Sequence, residues 1–191
     1  LSSYIPIWYM EGDAVLAETI FSESGRGRAP AFIKQLRAIS VEKGKMYSYD
    51  RMLHGSYRVF TPDHYQYGYQ MLLLSTGKYG HDLWSSTLNY SAKYPFSLVP
   101  VNLNVNKKAR LTKQSVFSTT FDKLNITWNS EDRIKGPAQY ETFNPLKGKD
   151  YINYHSPVLI GKDSIAAIKT SLYAPARFVL INPAEKSEKT I

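Results

Sequence analysis

Apolar positions recur at three- and four-residue spacing along most of the chain and give way to short β-rich runs near its end. The first helical stretch runs from Pro6 to Thr19. Pro6 suits a first helical position, where no N–H needs a partner, and Ala14, Val15, Leu16 and Ala17 carry the helix on until Gly25 and Gly27 break it. Pro30 opens a second helix, with Phe32, Ile33, Leu36 and Ile39 along one side, and Gly44 stops it. Ser48 or Asp50 caps a short third helix that runs through Leu53 and ends at His54-Gly55. Thr61-Pro62-Asp63 is the clearest helix start: an N-cap, a proline at the first helical position and an acid in the first turn. That helix passes through Leu74 and closes at Gly77 or Gly80. His81-Asp82 begins a further helix that ends at Lys93-Tyr94-Pro95-Phe96. Asn102 to Arg110 reads as a polar, solvated loop, and Thr112 starts a last helix with Val116, Phe117, Thr120, Phe121, Leu124 and Trp128 on its apolar side.

Beyond Gly136-Pro137 the period changes. Residues 151–154, 164–169 and 177–181 are short runs of β-type residues, separated by Gly161-Lys162-Asp163 and by Tyr173-Ala174-Pro175. The expected fold class is therefore α+β, with a mainly helical part over 1–136 and a small antiparallel meander of three or four strands over 137–191. One such sheet is about one propeller blade, and a single blade leaves its faces without neighbours. Both ends of the chain are accordingly expected to be cut, the N-terminal one because it opens on Leu1.

Composition narrows the picture further. At 191 residues the chain can bury one sizeable core, or one helical unit and part of another. A hydrophobic content of 43% with 21% charged residues is that of a folded chain, and no run reaches the ~20 apolar residues of a membrane span. The absence of cysteine excludes disulfides, Cys-ligated zinc and a Cys nucleophile. A net charge of +8 could suit nucleic acid, but the basic residues are spread along the chain and no reader motif is present, so no nucleic-acid partner is expected.

Candidate chemistry centres on the first helix. At 100° per residue Trp8, Glu11, Val15 and Glu18 share one stripe, with the two carboxylates roughly 10 Å apart. An ionised carboxylate on a mostly apolar face costs several kcal/mol unless it is paired or metal-bound, so this face asks for a partner. Arg26, Arg28 or Arg37 could supply it, and a metal or catalytic role is the alternative. Within the loop Ser22-Glu23-Ser24-Gly25-Arg26-Gly27-Arg28, the two arginines could clamp an anion or pair with acids of neighbouring helices. Gly68, in the middle of a helix, marks close approach to another helix or a ligand. The alternating Tyr65, Tyr67 and Tyr69 read as packing residues or as platforms for sugar rings. His54, His64, His81 and His155 have no partner histidine at helical spacing and no His-Glu-x-x-His motif, so the chain alone holds no complete zinc site.

These residues carry a resemblance. Trp8-Tyr9-Met10-Glu11-Gly12-Asp13-Ala14 resembles the Trp-x-x-Glu-Gly-x-Ala segment of gluzincin zinc metallopeptidases, and Tyr65-Gln66-Tyr67-Gly68 is similar to their later Tyr-x-x-Gly helix. The longer run that includes Ser24-Gly25-Arg26-Gly27-Arg28, Tyr47-Ser48-Tyr49-Asp50 and Tyr57 to Gly68 resembles bacterial envelope proteins with a peptidase-like helical domain followed by a TolB-like β-propeller. The resemblance implies that Glu11 is a zinc ligand, that Glu18 is an acid orienting a ligating histidine, and that Tyr65 hydrogen-bonds the transition-state oxyanion. It places both histidine ligands and the general-base glutamate upstream of Leu1, so this piece by itself is expected to be inactive and to hold no zinc tightly. A peptide or protein substrate and a periplasmic or cell-surface location follow from it. The alternative is a non-catalytic module that binds envelope glycan or protein, resting on 15 Tyr and 3 Trp.

Overall fold

The computed structural model describes residues 5–136, 139, 141 and 151–191, and Pro137, where the sequence pattern changes, lies outside them. Among the described residues there are seven α-helices followed by an open four-stranded antiparallel sheet, so the chain is α+β. It divides into two compact units. The first comprises Leu1–Gly55 and Thr61–Gly136, and the second comprises Ser56–Phe60 and Pro137–Ile191.

In the helical unit, α1 (Ile7–Phe21) follows Pro6, which stands just outside the helix. Ser22, not a glycine, ends it: the backbone turns extended there, and the Ser22 hydroxyl and N–H both donate to the Glu18 carbonyl. A 3-10 turn over Arg26–Arg28 leads to α2 (Pro30–Glu42), which has the expected proline in its first turn and Gly44 at φ 68° beyond its end. Ser48 caps α3 (Tyr49–His54), its hydroxyl accepting from the Arg51 N–H. The start of α4 (His64–Tyr79) differs from the sequence expectation by two residues. Asp63, not Thr61, is the cap, because its carboxylate accepts from the Gln66 N–H at 3.0 Å, and Thr61 and Pro62 precede the helix.

The sequence expectation fails outright at Asn102–Arg110, which is no loop but most of α6 (Pro100–Ala109). Its buried face is Val101, Asn104 and Val105, at helical spacing but with a polar residue in the middle. Asn104 is tolerated because its amide donates to the Ser86 and Thr87 hydroxyls, at 3.1 and 3.0 Å, on α5 (Asp82–Lys93). Lys108 adds an ion pair to Asp82 at 2.6 Å. Thr112 then caps α7 (Lys113–Lys135), which buries Val116, Phe117, Phe121, Leu124 and Trp128 as the spacing predicted.

The core of this unit gathers around Trp8, which is fully buried. Its indole N–H donates to the Tyr49 hydroxyl at 2.8 Å, and its ring meets Trp84 edge-on at 5.7 Å between centroids. The packing of α1 against α4 turns on two glycines. A Cβ on Gly68 would drive into the Trp8 carbonyl, and one on Gly12 would lie 2.6 Å from the Tyr69 nitrogen. The two backbones therefore touch, and Gly68 marks the approach of a second helix.

In the second unit β1 (Ile152–Ile160), β2 (Ser164–Ser171), β3 (Arg177–Asn182) and β4 (Ser187–Thr190) pair in sequence order, each antiparallel to the next. β1 is longer than the 151–154 run because pairing resumes at Val158 after an irregularity at Ser156-Pro157, with Ser156 at φ 49°. The core is small: Ala167, Val179 and Ile181, with Tyr154 and Ile165 against them. Ser56–Phe60 belongs to this unit through Phe60 stacked on Tyr151 at 4.4 Å and through the Tyr173 hydroxyl, which donates to the Tyr57 carbonyl at 3.0 Å.

Candidate functional site

The glycine crossing fixes the geometry of the candidate site. One turn along α1 from Trp8, Glu11 stands beside Gly12; one turn before Gly68 on α4 stands Tyr65. With the two backbones in contact, Tyr65 and Glu11 come together across the crossing. The nearness of Glu11 raises the Tyr65 pKa above its ordinary value, first through hydrogen bonding and then through the carboxylate's charge. Neither group is deeply buried: both are part-exposed at the rim of the core.

Glu18 lies on the same stripe but is otherwise engaged. Its carboxylate accepts from Arg26 twice, from the side-chain Nε at 2.8 Å and from the backbone N–H at 3.1 Å. These bonds hold its pKa below the usual carboxylate range. Of the three arginines that the sequence offered as partners, Arg26 thus pairs with the first helix. Arg28 donates to the Thr19 carbonyl, and Arg37 bridges Glu131 and Asp132 on α7. The Arg26 guanidinium also lies over the Tyr65 ring, 5.2 Å from its centroid, so Glu11, Tyr65, Arg26 and Glu18 form one connected cluster. Sequence reasoning named all four, Arg26 as one of three candidate partners for the acids of the first helix; what it did not foresee is the position of Arg26 over the Tyr65 ring.

The alternating tyrosines of α4 do not share one fate. Tyr67 is fully buried and its hydroxyl meets His64 Nδ1 at 2.9 Å; burial, reinforced by the charges of Tyr49 and Asp63, pushes its pKa up. Tyr69 is buried as well, and burial raises its pKa. Two of the three rings are therefore closed to sugar stacking. His155 pairs with the Thr170 hydroxyl at 3.1 Å, and His64 with Tyr67, so both are hydrogen-bonded histidines.

Among the described residues, no group of three or more His, Cys, Asp or Glu side chains is close enough to hold a metal ion. The donor chemistry of the cluster fits one ligand to a metal: Glu11 is a part-exposed carboxylate beside Tyr65, whereas Glu18 is taken up by Arg26. No described helix is long and apolar enough to cross a membrane. No family model, curated protein or solved structure matches the chain.

Proposed function

We propose that the helical unit is the half of a gluzincin-type zinc metallopeptidase that contributes the carboxylate ligand and the oxyanion donor, and that the sheet is the first blade of a TolB-like propeller in a protein of the bacterial envelope. The observation that carries this reading is the Gly12/Gly68 crossing, where α1 and α4 touch and bring Glu11 beside Tyr65. Two residues distant in the sequence, named for linked roles by the resemblance, thus come together at an accessible rim.

In this reading Glu11 is the zinc ligand. His-Glu-x-x-His is absent from these 191 residues, so two histidines and a general-base glutamate come from a helix outside them. Bound zinc would polarise a peptide carbonyl and make attacking water available at neutral pH. The Tyr65 hydroxyl, beside the Glu11 carboxylate, would donate to the oxygen that becomes negative during attack. A tyrosine hydroxyl is protonated, and so a donor, at neutral pH. Glu18 acts at one remove, holding Arg26 beside the ring. By itself the described chain provides one carboxylate ligand, which is no catalytic site.

The test uses the full-length gene product, with co-purified zinc measured by elemental analysis and hydrolysis measured on a quenched-fluorescent peptide library. Glu11→Gln is expected to lose both zinc and hydrolysis. Tyr65→Phe is expected to keep zinc and lose on the order of 100-fold in turnover. Full zinc occupancy in Glu11→Gln, or unchanged turnover in Tyr65→Phe, would overturn the assignment.

A further inference from the structure

The loop between α1 and α2 is built with more care than a connection needs. Gly25 has φ −57°, which any residue adopts, yet a Cβ there would lie 2.6 Å from the Glu18 carbonyl oxygen and still closer to the Thr19 backbone. A Cβ on Gly27 would lie 2.5 Å from both the Thr19 hydroxyl and the Tyr69 ring. Both glycines are thus required for space and not for backbone freedom. Their absent side chains let the loop lie flat against the end of α1 and the flank of α4. Thr19 fastens it there: its hydroxyl accepts from the Gly27 N–H at 3.1 Å, and its carbonyl accepts from Arg28 Nη2 at 2.5 Å.

What this fastening delivers is Arg26. The backbone N–H and the Nε of Arg26 grip the two oxygens of Glu18, and the plane of its guanidinium is left over the Tyr65 ring. A single surface ion pair is worth little, about 0–1 kcal/mol. Four hydrogen bonds from three consecutive residues, Arg26, Gly27 and Arg28, with both glycines forced by contact, are hard to account for by that pair alone.

We propose that Arg26, held by Glu18 and by the Gly25/Gly27 loop, is a positioning residue that holds the Tyr65 ring in place beside Glu11. The mechanism is steric and electrostatic. A planar cation lying over a ring face restricts the ring's departure from α4, and arginine does this where lysine, a point charge on a flexible stem, does not. The geometric part of the inference stands on the loop itself; its catalytic meaning rests on the peptidase reading above.

The first experiment needs no metal and no substrate. In this chain labelled with 13C-tyrosine, the Tyr65 ring signal is assigned by its loss in Tyr65→Phe. In Arg26→Gln that signal is expected to shift, while the signals of buried Tyr67 and Tyr69 stay in place. Glu18→Gln, which frees Arg26 without touching either aromatic, should move the same signal in the same direction, and it serves as the test if Arg26→Gln fails to fold. Arg26→Lys should restore the wild-type signal only in part. An unmoved Tyr65 signal in folded Arg26→Gln or in Glu18→Gln overturns the proposal. The second experiment is a double-mutant cycle in the full-length protein. Arg26→Gln should lower kcat on the order of 10-fold with KM and zinc content unchanged, and should have no further effect in the Tyr65→Phe background. Additive losses overturn the proposal. A wild-type protein that neither binds zinc nor cleaves peptides removes the peptidase reading while the ring measurement still decides the clamp.

Discussion

The helical unit and the sheet unit hold themselves together by different means. The first buries Trp8, Tyr67, Leu36, Met52, Met71 and Leu72 almost completely and crosses two helices so closely that only glycine fits at the contact. The second buries Ala167, Val179 and Ile181, and leaves Val158, Leu159 and Phe178 more than half exposed. A four-stranded sheet with so few buried side chains gains little from apolar burial, and polar bonds carry a larger share of it. Lys169 and Tyr154 both donate to the Glu188 carboxylate, at 2.6 and 2.5 Å. The difference bears on function as well. The site proposed above lies in the unit whose backbone positions are over-determined, at the Gly12/Gly68 crossing.

The most severe test of this contrast is Gly68→Ala. The new methyl group would meet the Trp8 carbonyl, which α1 cannot move without breaking its own hydrogen bonds, so a loss of about 3 kcal/mol or more is expected. Urea unfolding followed by circular dichroism at 222 nm measures it, and a midpoint equal to wild type would show that the helices can separate at little cost. In the sheet, Val179→Ala should cost about 2 kcal/mol. Native-state hydrogen exchange should show the loss in β2 and β3 amides and not in α1 or α4; equal loss in both would mean that the two units unfold together.

A smaller effect separates the units by pH. Burial raises the Glu188 pKa, but the Lys169 and Tyr154 hydrogen bonds outweigh it and leave it below the ordinary 4.5. The folded value is the lower one, so its contribution to stability is present above pH 4.5 and is lost as pH falls through the folded value. In the helical unit burial, and then the charge of Asp13, push Tyr9 from 10.0 to about 12. Here the folded value is the higher one, so the contribution is complete below pH 10 and is lost as pH rises through about 12. Loss of the Glu188 contribution should thus lower exchange protection in the sheet on acidification, and loss of the Tyr9 contribution should lower it in the helices under alkali. Glu188→Gln should flatten the acid limb, and an unchanged acid limb in that variant would remove Glu188 from the account. The smallest expected effect has the opposite sign. Gly77 lies within α4 with open space around it, so Gly77→Ala should stabilise the helical unit by about 0.5–1 kcal/mol. Side by side, Gly68→Ala and Gly77→Ala distinguish a glycine held by contact from one that is merely tolerated.

Much of this architecture was legible in the sequence because its signals are local. Pro30 and the Ser48 and Thr112 caps, which begin helices, act within one turn, and the 3.6-residue period of α7 and the β-rich runs after 150 follow from side-chain geometry on a single element. Gly68 was legible as a close approach because glycine in a helix interior is unfavourable without one. α6 was not legible. Its buried Asn104 looks like a loop residue until the α5 hydroxyls that satisfy it are in place, and those lie on another helix. The cap of α4 was misplaced for a similar reason, since Thr61 and Asp63 both suit the position and only the backbone path selects Asp63.

By itself the sequence determined the α+β class, the shared stripe of Glu11 and Glu18, and the candidacy of Tyr65. Tertiary structure decided the rest: that Asn102–Arg110 is helix, that Glu18 belongs to Arg26, that Glu11 stands beside Tyr65, and that Tyr67 and Tyr69 are core. The physical reason is that a carboxylate's partner depends on which groups converge within about 3 Å of it. In this chain that is set where two glycines let α1 and α4 touch.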